Sequence, residues 1–406
     1  MSIKKKLIKF TFIFSIGTIL SRFFIFLFRA IIARELSVEE YGKLALLMQI
    51  FSTIIIIANF QINPTVNYLL SKTKSKIKER SNLIFHAFLS ILPTTIIAII
   101  LFYLILYYTG FTLNYFYLLF IFAIIFQPIR FINAGTLRFL EKIKTLASIN
   151  ASVGVFRFFI LFILFYLIGI KTYQSVIISF IISLIIPAIV SIITIIDYWK
   201  NIEFKVVINE FKKIYSYSFY MVISMLSQSL TILIPSIILS RINFNQVAYF
   251  DMGFMMFSIF TMIFLNISLD TSSLVSKYIK NKKRPLIVNK NYIIASIIFY
   301  CFLLVIFISQ IDKFFVNLIL GDKYIPAIQI FYILIICLPF YLYNMIMKGI
   351  FMGLNKVKKL ALIEVLFLLL LILLVYIFLS YAGIGVAIAF ILVVLLKSLL
   401  FRYINI

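Results

Sequence analysis

Arg22, Arg29, Arg130 and Arg157 stand inside long apolar runs of the chain. A guanidinium in such a place stays ionised and presents a planar fork of donors that fits phosphate oxygens in pairs. Left in hydrocarbon, an arginine costs about 2.5–3.5 kcal/mol on insertion scales, so it persists where it faces water, a partner or an anionic ligand. Thr11, Ser15, Thr18, Arg22 and Arg29 are spaced by 4, 3, 4 and 7 residues. At about 100° per residue that gathers them on one helical face, with Phe12, Phe14, Phe23 and Phe26 on the opposite side. Asn150, Gly154 and Arg157 repeat the pattern at spacings of 4 and 3. Gln127 and Arg130 flank Pro128, which can kink a helix and free backbone carbonyls, and Asn133 follows. Ser52, Asn59 and Asn63 share a face at spacings of 7 and 4, with Pro64 next. The candidate binding residues are therefore Arg22, Arg157, Arg130, Arg29, Asn59 and Asn63.

The elements that must position them are membrane helices. Hydrophobic residues make up 64% of the chain and charged residues 13%, with a mean hydropathy of +1.16, and the apolar residues come in blocks of the roughly 20 residues that span a bilayer. Twelve blocks are expected: 10–33, 44–70, 83–108, 115–137, 148–168, 174–196, 214–241, 247–275, 291–311, 327–347, 360–380 and 384–401. The net charge of +25 does not point to nucleic acid, because 27 of the 38 basic residues cluster in alternate connections, such as Lys72 to Arg80 and Lys277 to Lys290. By the positive-inside rule those connections and both termini are cytoplasmic, and a basic face toward anionic phospholipid accounts for them. The opening MSIKKKLIK resembles a signal peptide, but its apolar run continues to Ile32 without a small-residue cleavage site, so it reads as the first span. The aromatic excess reads as lipid-facing bulk and interface belt.

The sequence also repeats. Gly135 to Lys144 (GTLRFLEKIK) and Gly349 to Lys358 (GIFMGLNKVK) match at four of ten positions at an offset of 214, and Gly169 meets Gly383 at the same offset. Arg34 and Arg241 each close the first span of their half. The expected architecture is all-α and integral to the membrane: two six-helix bundles, residues 1–205 and 206–406. Because six spans return the chain to its starting side, the halves are parallel repeats of the kind that build a cavity and expose it alternately.

Several of these segments resemble one family. Ala33 to Gly42 (ARELSVEEYG), Ile319 to Ala327 (ILGDKYIPA), Gly349 to Lys359 (GIFMGLNKVKK) and Tyr381 to Ala389 (YAGIGVAIA) are similar, in order, to turns of polysaccharide exporters of the MATE-like, multidrug and oligosaccharidyl-lipid (MOP) superfamily. The resemblance implies a Wzx-type flippase in the bacterial cytoplasmic membrane. Its substrate would be an undecaprenyl-pyrophosphate-linked oligosaccharide for O-antigen or capsule, its surroundings membrane lipids, and its partners a glycan polymerase and a chain-length regulator. On that reading the arginines take the pyrophosphate, and the hydroxyl and amide faces take the glycan.

The second half carries mostly uncharged polar residues, among them the stripe Ser216, Tyr220, Ser227 and Thr231. Acids in or beside spans are Asp251, Asp270 and Glu364. Glu364 is a candidate for ion coupling, as is His86, the lone histidine, whose side chain type changes charge near neutrality. No catalytic residue, metal site or cofactor is expected: Cys301 and Cys337 form no framework, and no nucleophile sits beside a base. Two rivals stand beside this reading, the second from a different class. A drug or metabolite exporter on the same fold should hold cavity carboxylates, and a glycan polymerase should present a large outer loop.

Overall fold

The computed structural model describes residues 3–72, 77–111, 115–199, 207–261, 317 and 320–403. Among them the secondary structure is helical, without strands. The helices are α1 (Ile3–Glu35), α2 (Val38–Asn59), α3 (Ile62–Lys72), α4 (Ile77–Tyr108), α5 (Tyr115–Phe139), α6 (Ile143–Phe162), α7 (Tyr173–Ile193), α8 (Ile196–Trp199), α9 (Ile208–Ile242), α10 (244–261), α11 (Ile325–Ile336), α12 (Leu338–Gly353), α13 (Val357–Ile377) and α14 (Ala382–Tyr403). Nine helical stretches among the described residues are long and apolar enough to cross a membrane, and α11 with α12, bent by 56°, make a tenth. Of the twelve expected spans, 291–311 lies outside the described residues and 247–275 extends beyond them, as do Asp270, Cys301 and the basic segment Lys277 to Lys290. The side chains of Thr11 and Ser15 are likewise outside the description.

The chain forms two compact units, Met1–Ile32 with Leu47–Ser229, and Ala33–Leu46 with Leu230–Ile406. In the first, α3, α4, α5 and α9 meet in a core of Ile62, Val66, Leu70, Ile84, Ala87, Ile132 and Ile214. In the second, α12, α13 and α14 meet around Met347, Phe351, Leu360 and Phe401. Leu362, Leu366, Leu369, Leu373 and Tyr376, spaced 4, 3, 4 and 3 along α13, are all more than half exposed. A continuous apolar stripe of that kind is a lipid-facing surface.

The turns carry the repeat. After α5, Glu141 has φ 57°, its N–H donates to the Arg138 carbonyl, and Lys142 N–H donates to that of Leu137. After α12, Asn355 has φ 58°, its N–H donates to the Met352 carbonyl, and Lys356 N–H donates to that of Phe351. Every residue in the second set is 214 positions beyond its counterpart, so the matched sequences fold into the same left-handed helix stop. Gly169 and Gly383 do not share a role. Gly169 takes a left-handed φ of 82°, whereas at the second turn it is Ala382 that does so, with φ 48°, and Gly383 packs against Ile330.

The entry to α2 is a capping box. Glu40 N–H donates to Ser37 Oγ while Glu40 Oε2 accepts from the Ser37 backbone N–H at 3.0 Å, so two orphan donors are satisfied reciprocally. A Cβ on Gly42 would lie 2.0 Å from the Phe244 carbonyl oxygen, so only glycine allows this approach.

Candidate functional site

Within the first unit lies an open cavity of about 440 Å³, lined by Arg29, Gln49, Ser52, Asn59, Gln61, Asn63, Gln127 and Arg157 together with apolar residues including Phe51, Phe131 and Phe180. Its floor is made by a break in the second span. Phe60 and Gln61 have φ 45° and 50°, a conformation that costs a non-glycine residue about 1–2 kcal/mol. Local hydrogen bonds hold it: Asn59 Oδ1 accepts from Gln61 N–H at 2.8 Å, and Thr94 Oγ1 donates to the Ala58 carbonyl at 2.9 Å. Pro64 falls in the first turn of α3, where its missing N–H has no intrahelical partner to lose. The break leaves backbone at the cavity wall, where irregular structure in a membrane protein is tolerated.

Arg157 on α6 is 8% exposed. Its Nε donates to Ser183 Oγ at 3.2 Å, and Ser183 passes its own hydrogen to the Phe180 carbonyl. The guanidinium lies 4.2 Å from the Phe180 ring centroid and 5.7 Å from that of Phe28, a cation–π setting that fixes its plane. Among the described residues no carboxylate pairs with Arg157 or Arg130. Arg29 and Arg130 are close enough for their charges to act on Arg157, so three like charges are gathered in the first unit. What lets α1 and α6 come together is glycine: a Cβ on Gly154 would meet the Ser21 carbonyl oxygen at 2.0 Å, and one on Gly17 that of Ala147 at 2.7 Å.

The predicted residues thus separate by place. Arg29, Arg157, Asn59 and Asn63 line one cavity, and the Ser52, Asn59, Asn63 spacing survives the helix break. Arg130 and Arg22, both half-buried, are not among the lining residues. Arg130 Nε instead donates to Gln127 Oε1 at 3.0 Å, and its Nη1 approaches Asn150 Oδ1 at 3.5 Å. Asn59 is held as a backbone cap. Gly154 is a packing contact. The lining residues Gln49 and Gln61 escape the sequence reading, although Gln49 extends the span-two stripe one turn earlier.

The two ion-coupling candidates lie elsewhere. His86 is buried between Phe85 and Phe211, its Nδ1 2.6 Å from the Asn82 carbonyl oxygen and its Nε2 accepting from Val207 N–H at 2.9 Å. That pattern needs the tautomer protonated on Nδ1 and makes the imidazole a strap between α4 and the start of α9. Glu364, in the second unit, is buried against Lys397 at 2.6 Å, with Lys348 near enough to interact electrostatically with both. Lys397 is a lone cation within the last span, and the sequence reading passes over it. Asp251 is buried and accepts from Tyr41 Oη at 2.9 Å.

The comparisons agree with the architecture. A solved multidrug resistance MATE family transporter of the MOP superfamily, in an inward-facing conformation, superposes with a TM-score of 0.75 at 14% identity, covering 94% of each chain. An outward-facing conformation of such a transporter gives 0.72 at 16% identity, covering 98% of this chain and 94% of that one. A MOP superfamily transporter from Pyrococcus furiosus, described as having a binding pocket of reverse polarity, gives 0.69 at 15% identity and 97% and 94% coverage. No curated protein is matched. The profile of the polysaccharide biosynthesis protein family matches residues 7–269, and with a match over more than half its length the chain belongs to that family, built on the MATE fold.

Proposed function

We propose that this protein is a flippase that carries undecaprenyl-pyrophosphate-linked oligosaccharide repeat units across the bacterial cytoplasmic membrane for surface polysaccharide assembly, with both termini in the cytoplasm. The observation that carries the reading is the cavity: Arg29 and Arg157 among neutral amides and the Ser52 hydroxyl, with no aspartate or glutamate among its lining residues. Two guanidiniums suit a diphosphate, whose oxygens accept charge-assisted hydrogen bonds. The amides suit the polar head that follows, and the polyprenyl tail remains in lipid. Family membership supports a glycan-related cargo, and the inward- and outward-facing forms solved for a transporter on this fold support alternating access. A glycan polymerase and a chain-length regulator are the partners this role implies.

A multidrug or metabolite exporter is the second reading, favoured by the multidrug transporters among the solved neighbours and disfavoured by the charge of the cavity, which would repel a cationic drug. Reconstituted protein offered a fluorescent polyprenyl-diphosphate sugar and, separately, a cationic dye decides between them. Transport of the lipid-linked sugar, lowered about tenfold or more in Arg157→Ala by loss of a charge-assisted contact, supports the flippase. Dye export without lipid translocation overturns it.

A further inference from the structure

Arg130 acts on the cavity without lining it. Arginine has donors only, so the Gln127 atom that meets its Nε at 3.0 Å must be the carbonyl oxygen, and the amide NH₂ is forced to the other side. Gln127 is 2% exposed, belongs to the cavity wall, and its Nε2 has no hydrogen-bond partner among the described residues. A buried donor left open in this way calls for an occupant. Asn63 also lines the cavity, and its buried Oδ1 lacks a partner among the described residues. Asn63 is fixed in place, because its backbone carbonyl oxygen lies 2.6 Å from where a Cβ on Gly135 would sit, so α3 and α5 touch there. The cavity lining therefore includes a buried donor without a partner among the described residues and a second amide that can give or accept.

We infer that Gln127, oriented by Arg130, forms with Asn63 a neutral subsite that reads the first sugar of the cargo through a group able both to donate and to accept, such as a hydroxyl or an N-acetyl group. Arg130 is then a positioning residue rather than a phosphate ligand. The inference rests on the flippase reading and assigns the phosphate and the sugar to different residues of the one cavity: Arg29 and Arg157 for the diphosphate, Gln127 and Asn63 for the sugar.

Full-length protein in phospholipid nanodiscs, titrated with a polyprenyl diphosphate and with the same lipid carrying one N-acetylhexosamine, tests it. Gln127→Leu and Asn63→Leu should each weaken the sugar-bearing lipid about tenfold, the scale of one good hydrogen bond, and leave the sugar-free lipid unchanged, which also reports that the variants fold. Gln127→Met, which keeps the length without a charge but lacks the NH₂, should behave like Gln127→Leu. Arg130→Met should match Gln127→Leu and add nothing to it in the double variant, and Arg130→Lys should restore part of the difference. Equal losses on both lipids, or additive effects of Arg130 and Gln127, overturn the subsite. If instead Arg157→Ala leaves both lipids bound as before while the sugar-dependent losses stand, the diphosphate assignment falls and the subsite survives. Failure of the wild type to bind either lipid sinks both.

Discussion

The Lys323 ammonium lies 2.7 Å from the carbonyl oxygen of Leu36 and 3.0 Å from that of Arg34. It thereby caps the last turn of α1, whose carbonyls have no intrahelical partner. Two of the segments that carry the family resemblance, around ARELSVEEYG and ILGDKYIPA, therefore meet through one side chain within the second unit. Tyr324 follows, its ring edge-on to Tyr41 at 5.7 Å, and Tyr41 reaches on to Asp251.

Lys323→Met should lower stability by about 1–3 kcal/mol, the value of hydrogen bonds from a charged donor, and Lys323→Arg should recover part of it. Thermal unfolding in detergent measures both. No change in melting temperature for Lys323→Met would mean that water replaces the ammonium without loss.

Asn59 and Gln61 predict effects of opposite sign. Asn59→Ala removes the acceptor for Gln61 N–H and should destabilise by about 1 kcal/mol, as loss of a helix-end cap does. Gln61→Gly relaxes a left-handed residue and should stabilise by a similar amount, about 1 kcal/mol. If Gln61→Gly melts lower than wild type, the left-handed turn is not a cost the native protein carries.

The buried pair of Glu364 and Lys397 should respond asymmetrically. Glu364→Gln strands an ammonium and should cost about 3 kcal/mol or more, while Glu364→Met with Lys397→Met should recover part of that loss, Lys348 still being deprived of the Glu364 charge. Proton-coupled transport by the double variant at the wild-type rate would show that the pair holds α13 to α14 and no more. Loss of coupling with stability intact would assign Glu364 the ionic role.

His86→Gln keeps a neutral acceptor within reach of Val207 N–H, and His86→Phe does not. Hydrogen exchange at the start of α9 should therefore quicken in His86→Phe by a factor of about five to ten, the equivalent of one lost hydrogen bond, and less in His86→Gln. Equal exchange in both variants would assign the strap to ring packing with Phe85 and Phe211.

Hydropathy and spacing expose the spans, the repeated turn after α5 and α12, and the polar face of span two, because each is periodic along the chain. The pattern says less about what a polar residue meets. Arg22 and Arg29 share a helical face, yet only Arg29 reaches the cavity wall. Arg130 looks like one more phosphate ligand from its place in an apolar run, and its hydrogen bond to Gln127, three residues earlier, is not announced by that pattern. Lys397 is a single cation in an apolar run, and nothing local announces that Glu364, 33 positions earlier, sits beside it. That Ala33–Leu46 packs with residues 230 onward is equally silent in the sequence, since it depends on Gly42 accepting the Phe244 backbone and on Lys323 reaching across 287 positions.

The contact of Gly154 with Ser21 makes α1 and α6 the two jaws of a gauge. Arg29 stands on one jaw and Arg157 on the other, and the glycine sets their gap even though the like charges would widen it. On the proposed function, an anion held between the two arginines would remove that repulsion and so tighten the contact of Gly154 with Ser21. A bulkier residue at position 154 would push α1 from α6 from outside the cavity and so widen the gap between the arginines, while every residue lining the wall stayed the same.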